Sequence, residues 1–392
     1  MKLNSPEAVI IGGGIIGVST AYYLARKGVR TTLLESGDLA GGTSGSCDRA
    51  IMIQSKNPGL PLSMALAGSK LYESLESELG EDLEYGKIGG MILIESEEEM
   101  RVMEKIVGRQ REAGIDVVIL GRSGTLARQP AVSPHVLGAT YWNGDADVNP
   151  VKVCFAMGRA AASRGADIRL GTRVTGFIKD KDGIAGVRTG SGDIKAGKVI
   201  IAAGVWTPEL GKMAGLHIPI IPRKGQILVT EKISPLINGN ILSGRYIACK
   251  HNPELAKAGG EYSALGLGLS MGQTRSGNLL IGGTREFAGY DCGTTPEAVR
   301  AIAGEAVRLF PALKKVNLLR TFAGLRPYTP DGMPIVGPVP ERPGLFIAAG
   351  HEGDGIALGP VTGSLLADMV AGTAGGWDLS PLSITRFNDY IL

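Results

Sequence analysis

The chain has 392 residues, 44% of them hydrophobic and 20% charged, and 41 Lys and Arg against 38 Asp and Glu leave a net charge of +3. That balance excludes the strongly basic surface of a nucleic-acid-binding protein and the polybasic patch of a membrane anchor. The length allows two domains or one large discontinuous one, and the 59 glycines predict many tight turns and close backbone approaches.

The first forty residues predict strand, glycine turn, helix, strand and acid. Ala8-Val9-Ile10-Ile11 is an apolar run that leads into Gly12-Gly13-Gly14-Ile15-Ile16-Gly17. An amphipathic helix follows over 19–27, and a second apolar run ends at Glu35 and Ser36. This is the order a dinucleotide needs. Gly12 permits the tight turn, Gly14 lets the backbone approach a pyrophosphate, and Gly17 lets helix and strand pack closely. The helix N-terminus at Ile15 and Ile16 offers N–H groups and partial positive charge to phosphates. Glu35 stands where a carboxylate accepts hydrogen bonds from ribose hydroxyls.

Residues 39–54 are small, polar and glycine-rich, then apolar, as in a loop passing under a ligand. Apolar spacing predicts helices over 63–78 and 96–113, the second solvated, with a strand at 89–94 between them. A turn at 144–150 precedes a helix over 151–165. Strands are expected at 167–177, 185–188 and 198–203, the last running into Gly204. From about 221 to 324, strand-like runs at 226–229, 246–248 and 279–282 alternate with glycine turns around one helix, 296–310. A strand at 344–350 leads through His351-Glu352-Gly353-Asp354-Gly355 to a helix over about 357–370. The expected class is α/β, a Rossmann-like domain with an inserted antiparallel β-sheet domain (α+β).

Cys47, Cys154, Cys249 and Cys292 are widely spread and form no Cys-x-x-Cys, so no metal site is expected. A reducing cytoplasm is the expected compartment, with peripheral membrane association left open. No signal peptide and no membrane-spanning run is expected.

The glycine turn with Glu35, the loop at 41–46, the turn Ala202-Ala203-Gly204 and the late strand-Gly-His-x-Gly-x-Gly-helix occur in an order that resembles the FAD-dependent amino acid oxidase superfamily of D-amino acid oxidase type. That group includes glycine oxidase, sarcosine oxidases and the flavoprotein subunits of proline, hydroxyproline and opine dehydrogenases. The resemblance covers nearly the whole chain. It implies an FAD-binding domain from 1–85, 150–220 and 325–392, and a substrate domain from 86–149 and 221–324. Thr43 and Ser44 match the loop that binds the pyrophosphate and ribityl chain. Asp48-Arg49-Ala50 matches the stretch passing the flavin ring, with Ala50 small enough for close approach. Val174 matches a position whose backbone contacts adenine, and Ala203 and Gly204 a further cofactor turn. Gly350, Gly353, Asp354, Gly355 and Ile356 begin the helix whose positive end faces the flavin pyrimidine in relatives. Negative charge collects there on reduction, so a helix N-terminus raises the reduction potential.

Gly324-Leu325-Arg326-Pro327 matches the family's Gly-x-Arg-Pro, whose arginine grips the substrate carboxylate in several relatives. A planar guanidinium donates two parallel hydrogen bonds to a carboxylate. Covalently flavinylated relatives carry a cysteine just before the following Tyr-Thr. Leu325, Arg326 and Pro327 stand there, so the FAD is expected to be non-covalent. Arg326, His351 and Glu352 are the catalytic candidates. Arg49, Tyr246, His251 and Gln273, with Thr274 beside it, are further substrate-binding candidates, each of the last four more readily structural than catalytic. Lys224-Gly225-Gln226 resembles a family signature and reads as architectural.

The resemblance implies hydride transfer from the CH–NH bond of a small amino or imino acid to flavin N5, then hydrolysis of the imine. Cys47-Asp48-Arg49 and Gly350-His351-Glu352-Gly353 most resemble the subunits of proline, hydroxyproline and opine dehydrogenases, which implies a dehydrogenase or a subunit of a hetero-oligomer. Electrons would pass to oxygen, a carrier or a partner subunit, in a homo- or hetero-oligomer. The alternatives are a glycine or sarcosine oxidase that makes peroxide, an FAD-bearing subunit without activity of its own, and an NAD(P)-dependent dehydrogenase built on the same glycine turn.

Overall fold

The computed structural model describes residues 5–245, 247, 265–373, 376–387 and 390–391. Strand β1 (Ala8–Ile11) passes through the glycine turn into α1 (Ile15–Arg26) and β2 (Thr31–Leu34). Then come β3 (Ala50–Ile51), α2 (Leu60–Leu79), β4 (Gly90–Ile94) and α3 (Glu97–Glu112). The chain continues through β5 (Val118–Gly121), α4 (Arg122–Arg128), β6 (Gly138–Trp142), β7 (Ala146–Asp147) and α5 (Pro150–Ser163). Next are β8 (Asp167–Arg169), β9 (Val174–Asp180), β10 (Gly183–Thr189), β11 (Gly192–Lys195), β12 (Lys198–Ile201) and α6 (Thr207–Ala214). The middle stretch holds β13 (Ile221–Lys232), β14 (Asn240–Ser243), β15 (Ser270–Gln273), β16 (Asn278–Gly282), α7 (Pro296–Leu309) and β17 (Leu318–Tyr328). Strands β18 (Ile335–Pro338) and β19 (Leu345–Ala349) precede α8 (Gly355–Ala371).

Side-chain caps set several helix starts. Ser96 accepts from the Glu99 N–H at 3.1 Å, with Glu97, Glu98 and Glu99 in the first turn of α3. Asn149 and Thr295 cap α5 and α7 in the same way, each with proline at the next position. Each cap satisfies a donor that the helix leaves open, and proline there loses no bond.

One sheet runs β18-β19-β12-β1-β2-β8, parallel except for β18. Its residues alternate between two cores. Ala8 and Ile10 face α1, α2, α5 and α8, while Val9 and Ile11 face the β9–β11 meander and α6. The second sheet runs β17-β13-β16-β15-β14-β4-β6-β5, with α7 packed on it through Ile302, Ala306 and Leu309. It is antiparallel save at β4 and β14, which pair in parallel. The sheet is thus the expected antiparallel one with a single parallel pair. These two strands arrive on separate excursions of the chain, and no hairpin forces them to run opposite.

The stretch 167–177, expected as one strand, is two strands in different sheets. Gly171, at φ +61°, breaks it and lets β8 join the parallel sheet while β9 starts the meander. The expected strand at 246–248 includes Tyr246 and Ala248, which lie outside the described residues. No described helix is long and apolar enough to cross a membrane.

Helix α8 is buried among α1 and α2, which is why it lacks a polar face. A Cβ at Gly359 would lie 2.4 Å from Ile15, one at Gly363 2.5 Å from the Ser19 backbone, and one at Gly68 of α2 2.2 Å from the Ala357 carbonyl. Pro360 lies inside α8 and has no N–H for the Ile356 carbonyl. The Tyr72 hydroxyl donates to that carbonyl at 2.8 Å. Tyr72→Phe is therefore expected to lower stability by about 1–3 kcal/mol, because it leaves a buried acceptor unpaired. Urea unfolding checks this, and an unchanged midpoint would contradict it.

Candidate active site

A cavity of about 670 Å³ runs from the glycine turn after β1 to β17 and the start of α8. Of the residues singled out in the sequence, Gly12, Gly14, Ile15, Ile16, Glu35, Ser36, Thr43, Ser44, Ala50, Val174, Ala203, Gly204, Arg326, Gly350, His351, Glu352, Gly353, Asp354, Gly355 and Ile356 line it. Segments more than 300 residues apart in sequence thus share one surface. Gly17 does not line the cavity. It packs under the turn, where an added Cβ would stand 1.9 Å from the Gly12 carbonyl oxygen.

The turn is braced from both sides. The Glu35 carboxylate accepts from the Gly13 N–H at 2.6 Å and from the Gly37 N–H at 2.7 Å. The Ser44 hydroxyl accepts from the Ile15 N–H at 3.0 Å, and the Thr43 hydroxyl donates to the Leu325 carbonyl at 2.5 Å. Behind that loop, a Cβ at Gly324 would lie 2.1 Å from the Ser46 carbonyl, so glycine brings β17 against it. The cavity side is open. A Cβ at Gly14 meets only the Ser44 hydroxyl, at 3.2 Å, and one at Gly204 meets nothing within 4 Å. Backbone N–H donors beside bare glycines, and a carboxylate acceptor at the end of β2, are what the phosphates and ribose hydroxyls of a dinucleotide require. The residues present fit FAD.

At the other end, Arg326 of β17 and Arg223 of β13 are register partners. Opposed residues share a face, and like charges there repel unless a counter-charge separates them. Glu352 supplies it. Its Oε1 pairs with the Arg223 guanidinium and lies 4.0 Å from Arg326 Nε. Glu352 sits at φ +49°, in the left-handed region, with its N–H donating to the Pro327 carbonyl at 3.1 Å. Desolvation raises its pKa, but Arg326, Arg223 and Arg285 outweigh that and hold it at about 2. It is a fixed anion and no proton carrier.

Arg326 Nη1 donates to the Thr284 carbonyl at 3.0 Å. A Cβ at Gly225 would fall 2.3 Å from that nitrogen, so the glycine makes room for the guanidinium. With Nε turned to Glu352 and Nη1 tied to Thr284, the Nη2 donors and one Nη1 donor remain for a ligand.

His351 is buried, with Nε2 3.1 Å from the Thr362 hydroxyl. Burial pushes its pKa down to about 4, so it stays neutral near pH 7 and is a poor base. An imidazole held neutral in the fold gives full stability above its unfolded pKa of 6.5, and loses it as pH falls from 6.5 towards 4. His351→Gln is expected to remove that loss, on the order of 3 kcal/mol at its full extent. Stability against pH over that window checks it, and parallel curves for the two proteins would contradict it.

Besides Gly17, three expected residues do not meet the cavity. Arg49 turns away from it, paired with Glu84 at 2.7 Å and Asp147 at 3.3 Å. This corrects the placement of its charge beside the flavin, since a buried guanidinium goes where carboxylates balance it. Gln273 braces a surface loop, donating to the Gly277 carbonyl at 3.1 Å and accepting from the Leu236 N–H at 2.9 Å. Thr274 closes the same turn on Asn278. Tyr246 and His251 lie outside the described residues. Asp48, in the stretch matched to the flavin ring, lines the cavity, and Lys56, Arg285, Trp206 and Met213 line it without having been singled out for it. Lys224 is buried and tied to Asp291 at 2.8 Å, in keeping with an architectural role for its segment.

The FAD dependent oxidoreductase family model matches residues 7–369. Hydrogen cyanide synthase subunit HcnC of Pseudomonas aeruginosa is 32% identical, over 97% of this chain and 96% of that protein. The crystal structure of glycine oxidase from Geobacillus kaustophilus matches with a TM-score of 0.88 and 29% identity, over 97% of this chain and 99% of that one. L-Proline dehydrogenase from P. horikoshii matches with a TM-score of 0.88 and 27% identity, over 98% of each chain. With a cavity that fits the cofactor and a family model that spans most of its length, this chain belongs to the FAD dependent oxidoreductase family.

Proposed function

We propose that this protein oxidises the CH–NH bond of a small amino or imino acid, as a dehydrogenase. The observation that carries the reading is Arg326, a guanidinium on β17 that lines the cavity with part of its donor edge uncommitted. FAD, when bound, supplies the two-electron acceptor for the α-hydrogen, which leaves as hydride.

The chain's own residues do the rest. Arg326 holds the substrate carboxylate, and Glu352 keeps Arg326 and Arg223 apart and oriented. Fixing the carboxylate fixes the α-carbon, and most of the rate gain comes from that positioning. Neither His351 nor Glu352 is suited to take a proton, so the amine reacts in its neutral form. Its lone pair expels the hydride and leaves an iminium ion, which water then cleaves to an oxo acid and an amine or ammonia with release of a proton. Gly12, Gly14, Glu35, Thr43, Ser44, Val174 and Gly204 are the residues proposed to hold the adenosine, pyrophosphate and ribityl portions. Residues 1–85, 150–220 and 325–392 are proposed as the FAD-binding domain, and 86–149 and 221–324 as the substrate domain.

The cofactor is proposed to be non-covalent. Among the described residues Cys47 is the cysteine that lines the cavity, and desolvation together with the neighbouring Asp48 carboxylate pushes its thiol well above the usual range. A thiol held protonated is a poor nucleophile. Acid precipitation is expected to release all the flavin to the supernatant, and yellow colour retained in the pellet would contradict this.

The relatives divide on the electron acceptor, since one is named an oxidase, one a dehydrogenase and one a subunit. Turnover of glycine, sarcosine, D- and L-proline, hydroxyproline, common D-amino acids and opines, with an artificial dye and with oxygen, tests the reading. Dye reduction without peroxide is the expected result. Peroxide in step with amine loss would make this a glycine or sarcosine oxidase. No turnover of any compound by the isolated chain would favour an FAD-bearing subunit that needs a partner.

A further inference from the structure

Asp354 is the N-cap residue of α8. An aspartate there ordinarily turns its carboxylate onto the N–H groups of its own helix. This one makes no such bond. Its Oδ1 lies instead 2.5 Å from Lys56 Nζ. Lys56 is no surface lysine drawn to the nearest acid, because its side chain is 9% exposed and its segment is held from behind. The Asp145 carboxylate accepts from the Ile53 and Gln54 N–H groups at 2.7 and 3.2 Å, and the Gln110 amide reaches the Gln54 and Lys56 carbonyls. Lys56, Asp354 and the first residues of α8 line the same cavity.

We propose that Lys56 is a positioning residue that holds the Asp354 carboxylate off the N-terminus of α8, so that this helix end keeps its donors and its positive pole for the bound cofactor. The inference rests on the FAD reading of the cavity. A released Asp354 would cap α8 by turning its side chain as its backbone moves from ψ 1° into the extended range in which Ser96, Asn149 and Thr295 cap their helices. It would occupy the first-turn N–H groups and place a negative charge where a reduced flavin gathers its own. Both effects oppose reduction. Lys56 prevents them through Asp354, and removing Asp354 therefore removes the need for Lys56.

The test is the midpoint potential of the bound flavin, by equilibrium titration against a reference dye, with sulfite affinity from visible absorbance as a second readout. Lys56→Met is expected to lower the reduction equilibrium constant at least tenfold, about 30 mV for two electrons, and to weaken sulfite binding to a similar degree. Lys56→Arg is expected to stay near the parent. Lys56→Met with Asp354→Gly is expected to recover to within about threefold of the parent. Asp354→Gly alone is expected not to lower the potential. An unchanged potential in Lys56→Met overturns the proposal. So does a fall that persists in the double variant, which would mean that the lysine acts through its own charge. A fall in Asp354→Gly alone overturns it even where Lys56→Met does not fold. Neither readout uses an amino acid, so this failure is distinct from failure of the substrate reading.

Discussion

Arg326→Ala is expected to lower kcat/KM by on the order of 100- to 1000-fold, about 3–4 kcal/mol, with the larger part in substrate affinity. The guanidinium is held on three sides, by Thr284, by Glu352 and by the bare backbone of Gly225. Alanine keeps the strand but leaves a substrate carboxylate in a desolvated cavity without its partner. It also leaves Glu352 with one counter-charge fewer, which adds a change in local charge to the lost hydrogen bonds. Arg326→Lys is expected to recover little, since an ammonium offers one point charge in place of a planar fork. Steady-state kinetics and the dissociation constant of a carboxylate inhibitor, read from the flavin spectrum, separate binding from turnover. An unchanged KM and inhibitor affinity would show that the carboxylate is held elsewhere.

Gly17→Ala is expected to be the most damaging glycine-to-alanine substitution among the described residues. The new methyl group would stand 1.9 Å from the Gly12 carbonyl oxygen, and neither backbone can retreat without opening the β1–α1 turn. Overpacking of this kind costs about 3 kcal/mol or more. Purified protein is expected to be scarce, low-melting and poor in flavin. Gly14→Ala makes the informative contrast, because its methyl group meets only the Ser44 hydroxyl. That variant is expected to melt near the parent yet bind FAD at least tenfold more weakly, since the methyl group projects into the cavity beside the helix end. Parent-like FAD affinity in Gly14→Ala would remove the phosphate cradle from this turn.

The β1–α1–β2 unit is legible in its residues alone. Strand period, helix period and glycine spacing all point the same way there, and local signals suffice when they agree. The placement of Gly12 and Gly14 on the cavity is legible for the same reason, since glycine positions report close backbone approach directly. The failures share a cause. Arg49 is balanced by Glu84 and Asp147, 35 and 98 residues further on, and no local pattern announces partners at that range. The run 167–177 has unbroken strand-like composition, and only Gly171 betrays that its halves belong to different sheets. Arg223 gains its meaning from pairing opposite Arg326, which depends on register across two strands about a hundred residues apart. The sequence hints at this only through the alternation Arg223, Gly225, with a glycine where a guanidinium must pass. Lys56 leaves no such trace, because its partner lies 298 residues away at the start of a helix.

The most direct measurement is anaerobic titration of the purified yellow protein with the amino and imino acid panel, following flavin absorbance in the parent and in Arg326→Ala. The account predicts that at least one carboxylate-bearing amine bleaches the parent fully, and that Arg326→Ala needs at least a hundredfold more of the same compound for the same bleaching. Bleaching of both proteins at the same concentration, or by no compound in the panel, would contradict it.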